Sequence, residues 1–139
     1  MVIQMKVLTI KEPFATLIMN KIKYIETRSW KTNYRGELYI QAGVAKIRKD
    51  VKERPGLSEL YDESNLNYGN IICKCNLVDC IYMTEEFIEK EKKKDPNNFI
   101  SGYYEVGRYA WILDDVEPIK PIKVKGQLGI WNYDKQLHF

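Results

Sequence analysis

Residues 21–35 combine side chains that bind anions, stack against bases and transfer protons. One acid, Glu26, lies among five basic and three aromatic residues: Lys21, Lys23, Arg28, Lys31, Arg35, Tyr24, Trp30 and Tyr34. Basic and aromatic side chains together are typical of surfaces that hold a nucleic-acid backbone and its bases. A carboxylate beside a lysine can also serve in acid–base catalysis. The segment therefore indicates either an anion-binding surface or a catalytic pair.

The spacing of Glu26 and Arg28 predicts that their side chains meet. Residues two apart in a strand share a face and stand ~7 Å apart, within reach of two long side chains. Lys23 reaches Glu26 only from a turn that precedes the strand. In one interpretation, Arg28 neutralises a half-buried Glu26 and Trp30 belongs to the core. In the other, Lys23 and Arg28 contact phosphate, and Glu26 accepts a hydrogen bond from an exocyclic amine or polarises a water. The spacing leaves both open.

The elements that position these residues belong to a single α+β domain over residues 1–139. Strands are predicted at 4–10, 24–30, 36–42, 70–83, 107–116 and 124–133. Helices begin at Pro13 and after Thr84, and residues 44–68 form two helical pieces joined by a turn. Pro118 and Pro121 are expected to bound a connection. Because strands and helices do not alternate strictly, we expect five or six strands to curl into a small β-barrel.

Charge is distributed unevenly along the chain. Residues 1–55 hold 12 Lys/Arg and 5 Asp/Glu, whereas residues 56–139 hold 10 and 14. A basic half is expected of a nucleic-acid-binding face, although basic residues scattered over all surfaces would give the same counts. No apolar run approaches the ~20 residues that cross a bilayer, and the N-terminus lacks a signal-peptide pattern. We therefore expect a cytoplasmic protein with no membrane partner.

The three cysteines and the single histidine do not predict a metal site. In an alternating strand Cys73 and Cys75 share a face while Cys80 takes the other, and His138 lies beside the C-terminus. These residues cannot converge on one ion in that arrangement. We expect no metal and no cofactor, and we interpret the thiols as small buried apolar groups.

Nearly the whole chain resembles the ASCH domains, which belong to the PUA-like superfamily of small β-barrels. The resemblance is carried by residues 11–43, KEPFATLIMNKIKYIETRSWKTNYRGELYIQAG, with GRYAWIL and VKGQLGIWN further along. The family pattern is a Gln-Pro-Trp-like helix start, G-x-K-x-x-E-x-R, Ser-Trp and Tyr-Arg-Gly. The matching positions here are Pro13, Phe14, Lys23, Glu26, Arg28, Ser29, Trp30, Tyr34, Arg35 and Gly36. Lys21 replaces the usual glycine, and Glu12 and Phe14 replace the common Gln and Trp.

The resemblance implies a cleft beside the barrel that binds RNA or a nucleoside-like small molecule. The ligand-binding candidates are the matched residues and their basic neighbours, together with one acid in an apolar run: Pro13, Phe14, Arg28, Ser29, Trp30, Lys31, Arg35 and Asp79. Some small members of the family deacetylate 4-acetylcytidine, and others are linked to RNA cleavage. This makes Lys23 and Glu26 candidate catalytic residues of an amide hydrolysis. Those deacetylases carry threonine in place of Glu26, so only the lysine corresponds. A protein-interaction module is the third interpretation.

Overall fold

One mixed sheet of six strands organises the protein. A computed structural model describes residues 1–137, so His138 lies outside the described residues. The strands are β1 (Val2–Ile10), β2 (Ile25–Arg28), β3 (Gly36–Ala42), β4 (Asn70–Tyr82), β5 (Tyr109–Lys123) and β6 (Ile130–Gln136). The helices are α1 (Phe14–Met19), α2 (Lys49–Lys52), α3 (Glu85–Lys94) and α4 (Pro96–Ile100). The predicted α+β class is confirmed.

The sheet stays open within residues 1–137. Its order is β2-β5-β4-β3-β1-β6, with β1 parallel to β3 and every other neighbouring pair antiparallel. The edge strands β2 and β6 do not pair with each other, so the predicted closure into a barrel is wrong.

The segment 98–103 explains why β2 remains an edge strand. Asn98 Oδ1 accepts hydrogen bonds from the backbone N–H groups of Tyr24 and Ile25, at 2.9 and 3.3 Å. The N–H of Tyr103 donates to Thr27 Oγ1 at 2.8 Å. The segment therefore covers the edge along which a closing strand would have to pair.

The main core packs α1 against the sheet. Four of the six residues of α1 are buried. Two of them, Ala15 and Ile18, lie among apolar side chains from the central strands: Leu8, Leu38, Ile40, Leu77 and Trp111. Glu12 fixes the start of this short helix, because its carboxylate accepts from the N–H and the hydroxyl of Thr16. It also accepts from the N–H of Asn67 at 2.8 Å. Glu12 is thus occupied in holding α1 in place.

Two predicted strand limits are corrected by the structure. β5 continues through Pro118 and Pro121 instead of ending before them. Beyond Leu113 this strand pairs only with β4, so its other edge is open. The N–H groups that Pro118 and Pro121 lack are therefore not needed for hydrogen bonds to a second neighbouring strand. The last strand begins at Ile130 rather than near residue 124, after Gly129 with φ +65°.

The segment 44–68 is less helical than predicted. It contains the single turn α2 and two short 3₁₀ turns, Ser58–Leu60 and Glu63–Asn65. The prediction for the helix after Thr84 is confirmed, since the Thr84 hydroxyl accepts from the N–H of Phe87 at the start of α3.

The thiols all belong to the main core, but their faces differ from the predicted ones. Cys73 and Cys75 are fully buried, and the half-buried Cys80 packs against the same cluster. Register shifts along β4, including one between Leu77 and Asp79, change the alternation on which the prediction rested. Burial raises the pKa of Cys73 and of Cys75 to about 12. Among the described residues, none of the helices has the length and apolar character needed to span a membrane.

Candidate functional site

A cleft of about 870 Å³ opens beside β2 and α1. Its walls come from the ends of β1 and β2, the first turn of α1, the segment 43–54, the loop 101–103 and the turn 127–129. Six of the residues predicted from the sequence line it together: Phe14, Lys23, Glu26, Arg28, Ser29 and Trp30. These come from α1, from the turn before β2 and from β2 with the residues that follow it.

Glu26 is the centre of the polar contacts in this cleft. Its Oε2 accepts from Arg28 Nε at 3.1 Å and lies 3.0 Å from Arg28 Nη2. Its Oε1 lies 3.4 Å from Lys23 Nζ. Glu26 is only 7% exposed, and a buried carboxylate is stable when cations and hydrogen bonds neutralise it. The predicted proximity of Glu26, Arg28 and Lys23 is present in the fold.

Lys23 is buried to 1% exposure, although it is a lysine at the wall of a cleft. Its ammonium donates to the backbone carbonyls of Ile25 and Ser101, both at 2.7 Å, and faces Glu26 as the third oxygen. Burial lowers the pKa of Lys23 from its ordinary value, against the opposing effect of the Glu26 carboxylate. Two hydrogen bonds to backbone carbonyls and an ion pair thus hold the ammonium, so this side chain joins β2 to the loop 101–103.

Phe14 forms the apolar floor of the cleft and has cations nearby. Lys23 Nζ and Arg54 Cζ each lie 5.6 Å from the centre of its ring. Arg54 Nη1 also donates to the carbonyls of Ile100 and Gly102, at 2.7 and 3.2 Å. A cation near an aromatic face is stabilised by the ring quadrupole, and Phe14 thus helps to place both charges.

Trp30 supplies an aromatic surface at the opening. It is 39% exposed, and its ring meets the buried Trp111 edge to face at 4.7 Å. The Trp111 indole N–H donates to the Trp30 carbonyl at 3.3 Å, which fixes the backbone there. Trp30 is therefore half in the core, as one interpretation expected, and half at the cleft, as expected of a ligand-binding candidate.

Four predicted site residues lie away from the lining of the cleft. Pro13 is buried immediately before α1, and Lys31 is exposed beyond Trp30. Arg35 and Asp79 form an ion pair at 3.6 Å on the surface of the sheet. Asp79 points outward and also accepts from the N–H of Cys80.

Several cleft residues were missed from the sequence. Arg48 and Arg54 come from the segment 44–56, whose basic bias was the only signal for them. Tyr103 comes from an irregular loop more than 70 residues beyond β2 that no local pattern marks, and Arg108 lies in the stretch GRYAWIL, where nothing singled it out as a site residue. Arg108 Nη2 donates to the Thr27 carbonyl at 3.3 Å, which brings this loop to the site.

The cleft carries an excess of positive charge. Six cations line it, Lys11, Lys23, Arg28, Arg48, Arg54 and Arg108, against two acids, Glu26 and Asp50. Both acids are already paired, since Arg48 Nε lies 3.0 Å from Asp50 Oδ1 and Glu26 is held by Arg28 and Lys23. No group of His, Cys, Asp and Glu residues within 1–137 is arranged to hold a metal. The arrangement attracts an anion.

A second cavity of about 700 Å³ lies elsewhere, beside β4 and β5. Its wall holds four carboxylates, Glu37, Asp114, Asp115 and Glu117, against two lysines, Lys21 and Lys74. It contains none of the ligand-binding or catalytic candidates, although Lys21 and Tyr24 from the segment 21–35 line it. Its acidic wall repels phosphate, so the basic cleft is the better candidate for the anion-binding site predicted from the sequence.

Comparisons with known proteins give one family model and two similar proteins. A family model described as the ASCH domain matches residues 8–124. Activating signal cointegrator 1 from Homo sapiens is 26% identical over 133 residues, and the same protein from Mus musculus is 25% identical over 142 residues. Each match covers 94% of this chain but 22% of the relative, so the chain spans about a fifth of those proteins.

A solved structure supports the fold. The crystal structure of a point mutant of the ZmASCH protein from Zymomonas mobilis superposes with a TM-score of 0.51, over 86% of this chain and 75% of that one. The two sequences are 15% identical, so the likeness concerns the fold alone.

Proposed function

The chain belongs to the ASCH domain family, and on that basis we propose that its basic cleft binds single-stranded RNA. Phosphate is held by arginines, and a base is held among the aromatic side chains at the opening. The observation that carries this proposal is the charge of the cleft, with six cations against two acids that are both already paired. Such a surface attracts a polyanion without help from a metal ligand.

Phosphate contacts fall to the arginines rather than to Lys23. Arg28 uses Nε and Nη2 for Glu26 and the Thr9 carbonyl, which leaves Nη1 without a hydrogen-bond partner among the described residues. Arg54 uses Nη1 for two backbone carbonyls, and its other donors make no hydrogen bond within residues 1–137. Lys23 is 1% exposed and already held by two carbonyls and by Glu26. Each arginine is thus held rigidly by some of its N–H groups and offers others to an anion.

The experiment compares the binding of a fluorescently labelled single-stranded RNA by four proteins. These are the unaltered protein, Arg28→Gln, Arg54→Gln and a control, Lys90→Gln, which removes an exposed charge on α3 away from the cleft. We expect each arginine substitution to weaken binding and to reduce the salt dependence by about one phosphate contact. The control should bind as the unaltered protein does. Equal losses in all three variants would contradict a role for the cleft, because they would report net charge alone.

Amide hydrolysis of 4-acetylcytidine is the second candidate. It is favoured by one observation, a lysine with a lowered pKa that lies 3.4 Å from a carboxylate in a cleft. The two carbonyls at 2.7 Å oppose it, because a lysine that acts as base or nucleophile needs a free lone pair. Incubation of the protein with 4-acetylcytidine, with cytidine release followed beside Lys23→Ala and Glu26→Ala, tests this candidate. Release that both substitutions abolish, in variants that circular dichroism shows to be folded, would support the activity, and no release by the unaltered protein would leave binding as the function.

A further inference from the structure

The loop 101–103 is irregular in backbone, yet three cations fix it. Lys23 donates to the Ser101 carbonyl at 2.7 Å, and Arg54 donates to the Gly102 carbonyl at 3.2 Å. Arg108 Nε donates to the Tyr103 carbonyl at 3.0 Å. The loop also approaches β2 closely, because a Cβ on Gly102 would lie 3.1 Å from Thr27 Cγ2. The side chain that follows, Tyr103, is therefore displayed from a rigid backbone.

The ring of Tyr103 is exposed although its backbone is fixed. It is 57% exposed, and it lies among the residues that line the cleft. The guanidinium of Arg108 stacks over the ring, with Cζ 4.8 Å from the ring centre. The orientation of that guanidinium is itself set, since Nε and Nη2 donate to the carbonyls of Tyr103 and Thr27. An exposed aromatic ring with one face covered by a fixed cation has its other face available for stacking.

We propose that Tyr103, backed by Arg108, is the stacking surface for a base of the bound RNA. This rests on the function proposed above and names the part of the cleft that holds the base. Bases stack on aromatic rings and on guanidinium planes, and a ring already held in place loses little entropy when it binds. Trp30 is less suited to this role, because its ring is committed to edge-to-face packing on Trp111. Arg28 and Arg54 line the same cleft and supply the charges for the flanking phosphates.

The test uses a short single-stranded RNA that contains 2-aminopurine, whose fluorescence falls when the base stacks on an aromatic ring. The proteins are the unaltered chain, Tyr103→Phe, which keeps the ring, and Tyr103→Leu, which keeps apolar bulk but cannot stack. We expect quenching with the unaltered protein and with Tyr103→Phe. Tyr103→Leu should lose the quenching and bind about five- to a hundredfold more weakly, the range for one base stacked on an aromatic side chain. The salt dependence should be the same in all three, because the phosphate contacts are unchanged.

The outcomes separate this inference from the function on which it rests. Salt-dependent binding with equal quenching by the unaltered protein and Tyr103→Leu would overturn the role of Tyr103 and leave the RNA-binding function standing. Salt-dependent binding without quenching by the unaltered protein would have the same meaning. An unaltered protein that does not bind the RNA at all would overturn both proposals. A melting temperature of Tyr103→Leu equal to that of Tyr103→Phe shows that a loss of quenching does not come from unfolding.

Discussion

Replacing Lys23 by methionine should destabilise the fold strongly, because this buried ammonium holds β2 and the loop 101–103 together. The substitution removes two hydrogen bonds of 2.7 Å from a charged donor, so the carbonyls of Ile25 and Ser101 lose the ammonium that donates to them. Hydrogen bonds of this kind contribute about 1.5–3 kcal/mol each, and removal of one partner of a buried ion pair costs about 3–5 kcal/mol. Arg28 still contacts Glu26 in the variant, and the methionine needs no desolvation of a charge. We therefore expect a loss of about 3 kcal/mol in the free energy of unfolding, near the lower end of that range.

The assay is urea denaturation followed by circular dichroism, with thermal melting beside it. For a domain of this size, a loss of about 3 kcal/mol corresponds to a fall of roughly 10 °C in Tm. Lys90→Met, at an exposed position on α3, is the matched control and should change the stability by less than about 0.5 kcal/mol. The double variant Lys23→Met/Glu26→Gln should be more stable than the sum of the two single losses predicts, since each single substitution already removes the same Lys23–Glu26 ion pair. A Lys23→Met protein within the error of the control would refute the structural role, and additive losses would refute the coupling.

Three further substitutions test the packing around the site and the core. The buried thiols of Cys73 and Cys75 have pKa values raised to about 12, so they keep their protons at pH values at which the thiols of the unfolded chain lose them. The free energy of unfolding should therefore fall as the pH rises from about 9 towards 12, by up to about 1.4 kcal/mol per pH unit for each thiol. Denaturation of the double variant Cys73→Ala/Cys75→Ala across this pH range should give a shallower fall. An equal slope for the variant and the unaltered protein would count against the raised pKa values. Glu91→Met should raise Tm, because Glu91 Oε2 is buried without a hydrogen-bond partner in the described part of the chain. Such a group costs about 1–3 kcal/mol of stability. A lower Tm would mean that the carboxylate stabilises the fold. Gly102→Ala should lower Tm, because the added Cβ would lie 2.8 Å from Tyr104 Cε1, and thermal melting at the unaltered stability would show that the loop can shift at no cost.

The fold was predictable from local patterns where each strand obeys its period. The strand β1, the helix at 14–19 and the capped helix after Thr84 agree with the structure because their signals lie within a few residues. The open form of the sheet was not predictable, because Asn98 and Tyr103 cover the β2 edge, which is more than 70 residues away from them in sequence. The course of β5 through Pro118 also depends on which edge of the strand is free, a property of the assembled sheet.

In the candidate site, too, local contacts were predictable and long-range contacts were not. Glu26 and Arg28 met as their spacing predicts, and Lys23 reached Glu26 from the preceding turn. The buried Lys23 ammonium donates to the carbonyl of Ser101, in a loop that no local pattern connects to β2. Tyr103 and Arg108 reach the cleft by hydrogen bonds to Thr27, which is more than 70 residues away in sequence. The stretch GRYAWIL therefore did not indicate that Arg108 lies in the cleft.

The most direct test of RNA binding is the salt dependence of the affinity of the unaltered protein for a single-stranded RNA. The association constant is measured by fluorescence anisotropy between about 50 and 200 mM salt and plotted as log K against log salt. Arg28 and Arg54 present free donors in the cleft, and Lys11 lies on its wall. If these three neutralise about three phosphates, the slope for a single strand is about −2. Binding with that slope supports the function proposed for the cleft, and binding that does not change with salt, or no binding at all, contradicts it.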